Sequence, residues 1–479
     1  MRTYSTRTVI ALLASVATAG CVAPSRDAQM QPKTASSYAA ASLATPVPGS
    51  WPAGEWWHAY RDPQLDTLIA AAIKDSPDVA AANARLHRAQ ALTQQSRAAL
   101  VPSVTANASG GLTKQSYNNG FPAQFVPHGY QEFGRGTLDF SYEVDFWGKN
   151  RAGVRAATSD AQAVAADRAA AVLMLSTSVA STYATLAQLY AERDVAVASV
   201  QLRQTTLTLV NQRVAGGLDT RAESQAAEAN VPTARGDVAA IDEQIALTRD
   251  ALAALTGAGP DYGLTITPPA AGPLPAFGLP PSLAAELIGR KPEVVAARWR
   301  ADAAGQRIHV ARAQFYPNVN LVAFIGLQSL GLGNLVKAGS DIGQVGPAFS
   351  LPIFDGGRLK ANLRGAEADY ALAVAQYDGS VVRALQDVAD AAASARALTT
   401  RLAEARAALA FEEEAYRVAR LRYTGGLATY QSVLIVEDTV LQRRRALADL
   451  QARAFALDVA LVKALGGGFV DAAATLAAN

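Results

Sequence analysis

Hydrophobic and polar residues alternate in two segments of the first half of the chain. Residues 103–113 and 137–146 place apolar side chains at alternate positions, with mostly polar or small side chains between them. A period of two predicts β-strands that have one apolar and one polar face. Each segment has about ten residues, the length of a tilted strand that crosses a membrane. A soluble hairpin with one solvated face would show the same alternation.

The second half of the chain repeats this organisation. Pro77-Asp78-Val79 matches Pro292-Glu293-Val294 at an offset of 215 residues, and Gly216-Gly217-Leu218 matches Gly425-Gly426-Leu427 at an offset of 209. A duplication explains this register, and two copies are too few for a solenoid. The sequence therefore predicts two strands in each repeat: about 102–113 and 136–146, then about 317–327 and 343–354.

Long helical segments follow each predicted pair of strands. Residues 150–213 contain no proline, and their apolar side chains recur at steps of three, four or seven, as in packed helices. At 1.5 Å per residue this helix would be about 96 Å long. A glycine pair follows each long helix, and glycine suits the left-handed C-terminal cap. The predicted long helices and their return helices are 150–213 with 220–255, and 357–422 with 429–465.

The first twenty residues predict a leader. Arg2 and Arg7 are basic, and residues 9–17 are apolar but too short to span a membrane as a helix. Thr18-Ala19-Gly20-Cys21 resembles a bacterial lipobox, so Cys21 is the predicted lipidation site, although a plain secretory signal stays open. In lipoproteins an aspartate after the cysteine causes inner-membrane retention, and Val22 at that position favours the outer membrane. No later segment predicts a spanning helix, so further membrane contact is expected from strands.

Proline-rich segments separate the two repeats and precede the first. Residues 258–281 contain seven prolines, so no regular helix is expected there. The predicted organisation is a signal peptide (1–20), a lipidated linker (21–63), a first repeat (64–257), a proline-rich equatorial linker (258–281), a second repeat (282–466) and a C-terminal tail (467–479).

Charge and cysteine content exclude several classes of protein. The 43 Lys and Arg residues almost balance the 41 Asp and Glu residues, so the basic surplus of a general nucleic-acid binder is missing. The single cysteine cannot form an internal disulfide, and the four histidines lie far apart in sequence. No nucleophile–base arrangement is recognisable, and Gly331-Leu332-Gly333 is too fragmentary for a dinucleotide loop. The sequence predicts neither an enzyme nor a cofactor or metal site.

Four strands per chain are too few for a closed membrane barrel, which needs about eight. An open sheet edge in lipid leaves backbone groups unpaired, at a cost of several kcal/mol each. If the strands cross a membrane, other copies of the chain must therefore complete the barrel.

Several motifs, in order and in both repeats, carry a resemblance to a known family. They are Trp56-Trp57, Asp62-Pro63-Gln64-Leu65, Tyr142-Glu143-Val144-Asp145-Phe146-Trp147-Gly148-Lys149, Arg290-Lys291-Pro292-Glu293-Val294, Phe315-Tyr316-Pro317, Phe354-Asp355-Gly356-Gly357-Arg358 and Lys463-Ala464-Leu465-Gly466-Gly467-Gly468-Phe469. With them the chain resembles the outer-membrane-factor (TolC-like) family of bacterial efflux systems, in its NodT-type lipoprotein branch. Phe469 departs from the tryptophan usual in the family.

The resemblance implies an α+β membrane protein of Gram-negative bacteria. It implies a homotrimer with a 12-stranded outer-membrane β-barrel, four strands per chain, continued by a periplasmic α-helical barrel. The implied function is a passive exit duct for small molecules. An inner-membrane pump of the RND type would supply the energy, and a periplasmic adaptor (membrane fusion protein) would join the pump to the duct.

The resemblance also implies two kinds of functional residue. Residues matching the family's adaptor-docking tips are Arg213, Gly216, Gly217, Leu218, Arg422, Tyr423, Gly425, Gly426 and Leu427. The family often narrows its closed pore with an aspartate ring, but Ile435 stands at that position. The nearest acidic residues, and so the candidate pore gate, are Glu223, Glu437 and Asp438, which a solvated helix face would also explain.

A second class of function stays open from the sequence. A periplasmic adaptor or coiled-coil scaffold would also combine a lipid anchor with long helical hairpins, but it would not explain duplicated alternating strands. The transported substrates are not readable, although polar positions such as Ser103, Thr105, Asn107 and Asp139 indicate a water-filled lumen.

Overall fold

The computed structural model describes residues 31–34, 37–38, 50–118, 120–270 and 283–471. The predicted signal peptide, Cys21, and most of the linkers 21–63 and 467–479 lie outside these residues. Four strands are present: β1 (Ser103–Thr113), β2 (Gln131–Glu143), β3 (Asn318–Leu330) and β4 (Asp341–Ser350). The helices are α1 (Pro63–Asp75), α2 (Pro77–Ala98), α3 (Lys149–Ala215), α4 (Arg221–Leu255), α5 (Leu283–Arg290), α6 (Pro292–Ala313), α7 (Arg358–Thr424) and α8 (Tyr430–Ala464). Short helical turns lie at Trp56–Tyr60, Ala123–Phe125, Pro260–Gly263 and Leu332–Asn334.

The element bounds differ from the sequence prediction mainly at two strand ends. β2 begins at Gln131, before the predicted residue 136, and β4 ends at Ser350, before the predicted residue 354. Pro352 follows the end of β4, and proline has no N–H to donate to a strand ladder. The described part of the proline-rich linker, residues 258–270, contains a four-residue helical turn at Pro260–Gly263, where no regular helix is expected from the sequence.

The chain divides into two compact units that do not follow the two sequence repeats. Among the described residues, one unit contains those within 86–164 and 297–377, and the other contains those within 33–85, 165–296 and 378–471. Each unit therefore combines segments from both repeats.

The first unit is built on one antiparallel sheet with the strand order β1-β2-β3-β4. The register pairs Val104 with Phe140, Leu138 with Ile325, and Ala323 with Val345. Because paired residues in antiparallel strands share a face, these apolar residues all lie on one face of the sheet.

Aspartates and stacked aromatic rings fix the passage from strand to helix in this unit. The Asp145 carboxylate accepts hydrogen bonds from the backbone N–H groups of Asn150 and Arg151, at 3.2 and 2.9 Å, and so caps the start of α3. The Trp147 ring stacks on Tyr316 at a centroid distance of 4.6 Å. The indole N–H of Trp147 donates to the carbonyl oxygen of Pro317 at 2.8 Å. These contacts account for two of the sequence motifs as local structure.

The core of the second unit joins the N-terminal segment to the long helices. Trp56, Leu65 and Ile69 pack in one buried cluster with Val179 and Leu186 of α3. Within the described residues, α3 is the one helix long and apolar enough in composition to cross a membrane, and half of that apolar stretch is buried inside the protein. The sequence alone predicts no spanning helix here, and the buried cluster accounts for the apolar character of this stretch.

Two further motifs hold this core by polar contacts and close backbone packing. Asp62 caps α1 and accepts a hydrogen bond of 2.7 Å from the Tyr183 hydroxyl, and Gln64 bonds the backbone of Thr267. Gly466 has a positive φ of 87°, and a Cβ there would lie 2.0 Å from the carbonyl oxygen of Arg290. Only glycine fits this position, which explains the glycine run after α8.

Candidate functional site

The apolar face of the sheet is exposed along all four strands. Val104, Leu138, Ile325 and Val345 all lie on this face, and Val345 is 75% exposed. A contiguous exposed apolar surface of this kind marks contact with another protein or with a membrane.

The opposite face is polar and carries a small hydrogen-bond network. The Asn107 side-chain amide donates to Oδ2 of Asp139 at 2.8 Å, and the Thr137 hydroxyl donates to the same oxygen at 2.7 Å. Thr105 lies directly across from Asp139 in the register. The two faces therefore have the opposite character expected of strands between lipid and water.

The outer strands of the sheet leave two edges open. Among the described strands, β1 pairs only with β2, and β4 pairs only with β3. Pro347 lies within β4, and a proline is tolerated in an edge strand.

The turns after α3 and α7 adopt the same capping geometry. The N–H of Leu218 donates to the carbonyl of Arg213 at 2.9 Å, and the N–H of Leu427 donates to the carbonyl of Arg422 at 2.7 Å. Gly217 and Gly426 have positive φ values of 71° and 75°. This is the six-to-one bond of a Schellman motif, which explains why both turns need glycine.

The two turns differ in how they use their repeated arginine. The Arg213 guanidinium bonds both carboxylate oxygens of Asp219, at 2.9 and 3.3 Å, and donates to the carbonyl of Tyr423 at 2.7 Å. The Tyr423 hydroxyl also donates to Asp219. Arg213 therefore connects the first turn to the second.

Arg422 cannot form the equivalent ion pair. At the offset of 209 residues the position of Asp219 is occupied by Ala428, and Arg422 is exposed. The structure thus separates the nine predicted docking residues into two groups. Arg213 and Tyr423 are mostly or fully buried in contacts within the chain. The exposed ones are Gly216, Gly217, Leu218, Arg422, Gly425, Gly426 and Leu427.

The three candidate gate residues lie in three different environments. Glu223 accepts a hydrogen bond of 2.7 Å from the backbone N–H of Thr220 and so forms a capping box at the start of α4. Asp438 is 48% exposed at its side chain and is paired with Arg203. Glu437 has no exposed surface, so in this chain its carboxylate does not face solvent as a gate charge would.

Glu437 lies at the centre of a buried polar cluster between α3, α7 and α8. Its carboxylate accepts hydrogen bonds from the Thr206 and Tyr416 hydroxyls, at 2.8 and 3.2 Å, and lies 3.1 Å from the Arg203 guanidinium. Burial raises the pKa of the Glu437 carboxyl above its ordinary value, and the Thr206 hydrogen bond and the Arg203 charge offset part of this effect.

The sequence reasoning missed Asp219, Arg203, Thr206 and Tyr416. The alignment of the two repeats contains a signal for Asp219. This residue aligns with Ala428, so only the first turn has an acidic residue near its arginine in sequence. The other three residues lie on helix faces whose neighbours the sequence does not reveal.

An exposed apolar sheet face, a polar opposite face and long helices joined by glycine-capped turns define the class of outer-membrane channel proteins. Residues 68–258 and 283–467 match the family described as "Outer membrane efflux protein". The chain belongs to this family, and the resemblance to outer-membrane factors seen in the sequence is confirmed at the level of the family.

Individual relatives agree with the family. The chain is 38% identical to the fusaric acid resistance protein FusA of Burkholderia cepacia, over 69% of this chain and 62% of that protein. It is 32% identical to the multidrug resistance outer membrane protein MdtP of Escherichia coli K12, over 88% of this chain and 87% of that protein. The structure matches the outer membrane protein VceC of Vibrio cholerae with a TM-score of 0.82 and 44% identity, over 88% of this chain and 100% of that one.

Proposed function

We propose that the chain forms the outer-membrane exit duct of a tripartite efflux system, as a homotrimer. The exposed apolar face of the sheet carries this proposal, because it is a surface suited to lipid on strands whose edges are open. Three copies would supply twelve strands, and pairing β4 of one copy with β1 of the next would satisfy both edges. The proposed activity is passive export of small molecules.

The energy for export would come from an inner-membrane pump of the RND type, through a periplasmic adaptor. The exposed residues of the two turns support adaptor docking there, since Leu218 and Leu427 are 67% and 74% exposed. Arg422 would offer a positive charge beside them, whereas Arg213 would stabilise the arrangement of the two turns through its contacts with Asp219 and Tyr423. Asp438 with Glu223 is the proposed acidic pore gate, because Glu437 is buried.

Lipidation at Cys21 would add an anchor in the outer membrane, as in the NodT-type lipoprotein branch. Its support is the leader sequence alone, because Cys21 lies outside the described residues. Metabolic labelling with an alkyne fatty acid tests it. Label on the wild-type protein that is lost in Cys21→Ala supports the anchor, and equal label on both excludes it.

Conductance in a planar lipid bilayer tests the proposed duct. We expect the purified full-length protein, reconstituted without a pump, to form ion-conducting channels. Heat-treated protein from the same preparation is the control. Protein that inserts but never conducts would contradict the proposal.

Adaptor docking is tested by charge substitution on the exposed leucines. Leu218→Asp with Leu427→Asp should abolish drug efflux in cells while leaving bilayer conductance intact. Leu247→Asp is the matched control, because Leu247 is an exposed leucine on the flank of α4 rather than at a turn. Normal efflux by the protein with both leucines replaced would show that the adaptor does not dock at these turns.

A lipid-anchored periplasmic adaptor or scaffold is the second candidate. The exposed apolar sheet face disfavours it, because such a protein has no lipid to cover that face. Heat-modifiable migration of a detergent-extracted oligomer would favour the duct, and a protein released by removing its acyl anchor alone would favour the adaptor.

A further inference from the structure

The polar face of the sheet carries only three charged residues among the described strands. Arg135, Asp139 and Glu143 all belong to β2 and recur at every fourth position. Because side chains alternate between faces, this spacing places all three on the same face. The other strands present neutral side chains on it.

Glu143 and Arg135 each have a partner close by. The Lys149 ammonium lies 2.5 Å from the Glu143 carboxylate and neutralises its charge. The Arg135 guanidinium lies over the ring of Phe324, 5.3 Å from its centroid. Phe324 pairs with Asp139 in the register, so Arg135 extends along the face towards Asp139.

Asp139 is bonded by neutral groups only. Within the described residues it forms no ion pair, and both of its side-chain hydrogen bonds, from Asn107 and Thr137, go to Oδ2. These bonds fix the direction of the carboxylate without cancelling its charge. Oδ1 receives neither of these two bonds.

The position of the exposed apolar face indicates whether Asp139 faces lipid or the lumen. In a lipid bilayer the apolar face of a closed barrel is turned outward, so the polar face lines the lumen. This step rests on the proposed duct function. Each copy of the chain would then contribute one oriented carboxylate at the level of the strands, with Arg135 nearby but not in an ion pair with it, and a low-dielectric wall strengthens the field of such charges.

We propose that Asp139 sets the charge preference of the strand-level lumen, favouring cations and positively charged cargo over anions. Arg135 acts in the opposite sense on the same face, and Asn107 and Thr137 position the carboxylate. This charge lies on a different element from the acidic residues of α4 and α8 discussed as a gate.

Reversal potentials across a planar bilayer test the proposal. In a KCl gradient at about 0.1 M salt, Asp139→Asn should lower the potassium-to-chloride permeability ratio by roughly threefold. Arg135→Gln should raise the ratio, and at 1 M KCl both changes should shrink because salt screens the charges. Glu132→Gln is the matched control, because Glu132 lies in the same strand with the opposite parity and should leave the ratio unchanged.

The outcomes separate this inference from the proposed function. A wild-type protein that does not conduct would contradict the duct itself. Conducting Asp139→Asn channels with the wild-type ratio would overturn only the role of Asp139, as would an equal change in Glu132→Gln. If Asp139→Asn does not assemble, Thr137→Val with Asn107→Ala keeps the charge and removes both bonds that orient it. If this double variant and Arg135→Gln both keep the wild-type potassium-to-chloride permeability ratio, the proposal is equally overturned.

Discussion

The Arg213 guanidinium lies over the ring of Tyr423, 4.3 Å from its centroid, although the two residues belong to different sequence repeats. Both residues also contact Asp219, so one carboxylate joins the turn after α3 to the turn after α7. Tyr423 is fully buried in this arrangement. The two turns are therefore one structural assembly rather than two independent loops.

Removing the Tyr423 hydroxyl should loosen this assembly without unfolding the chain. Tyr423→Phe keeps the buried ring and deletes one hydrogen bond to Asp219, at a cost of about 1 kcal/mol. Amide hydrogen exchange of residues 213–220 should then be roughly fivefold faster. Arg422→Gln is the control and should leave exchange unchanged. Equal exchange in wild type and Tyr423→Phe would show that the hydroxyl does not hold the turns together.

A charge on the apolar sheet face should block membrane assembly, whereas the same charge on the polar face should be tolerated. Val345→Lys exposes a cation to lipid and should cost about 2–4 kcal/mol near the middle of the bilayer. Gln344→Lys places the same side chain on the neighbouring residue and the other face. We expect outer-membrane fractions to contain Gln344→Lys and to lack Val345→Lys. Equal recovery of the two variants would argue against lipid on that face.

The buried Glu437 carboxyl should make stability depend on pH. Its pKa is raised in the folded chain, so the folded state binds more protons than the unfolded state above the ordinary carboxyl value of 4.5. The contribution of Glu437 to the free energy of unfolding therefore falls as the pH rises from 4.5 through the raised pKa. Glu437→Gln lacks this dependence.

Thermal unfolding over that pH range measures the effect. The difference in melting temperature between wild type and Glu437→Gln should shift in favour of wild type as the pH is lowered through the window. The Arg203 and Asp438 charges are present in both proteins, and in wild type they act on the Glu437 carboxyl, so the comparison measures the titration of Glu437 together with these two interactions. A constant difference at every pH would mean that the Glu437 carboxyl titrates as in the unfolded chain.

Gly466→Ala should be strongly destabilising. The residue has a positive φ, and the added Cβ would collide with the Arg290 backbone, so strain and overpacking together should cost about 3 kcal/mol or more. Gly356→Ala is the matched control, because Gly356 also has a positive φ, of 65°, but nothing lies within 4 Å of its added Cβ. The free energies of unfolding of the two variants, measured by chemical denaturation, should differ by the packing contribution alone. Similar losses in both would show that the chain moves aside at Gly466.

Much of this architecture follows from periodicity in the sequence. The parity of residues 103–113 and 137–146 predicts which side chains share a face, because a strand has only two faces. The glycine pairs predict where the long helices end, since the cap requires a left-handed residue. Strand ends were less predictable: β2 extends back to Gln131 by pairing with β1, and that pairing is not visible in the local pattern.

The site was only partly predictable, because it depends on contacts between distant segments. Arg213 and Arg422 occupy equivalent places in the repeats, yet in the part of the chain that the structure describes only Arg213 has a carboxylate beside it. In the sequence Glu437 looks like an acidic residue on a solvated helix face. In the structure it is buried against α3 and α7, where the Thr206 and Tyr416 hydroxyls donate hydrogen bonds to its carboxylate. Such environments are set by helix packing rather than by local sequence.

Native mass spectrometry of the detergent-extracted protein tests the central claim most directly, since the four described strands, with two open sheet edges, need other copies of the chain to close a barrel. We expect complexes of three chains that survive dilution in detergent. A single chain that remains folded and monomeric, and that stays in solution without detergent or lipid, would contradict it.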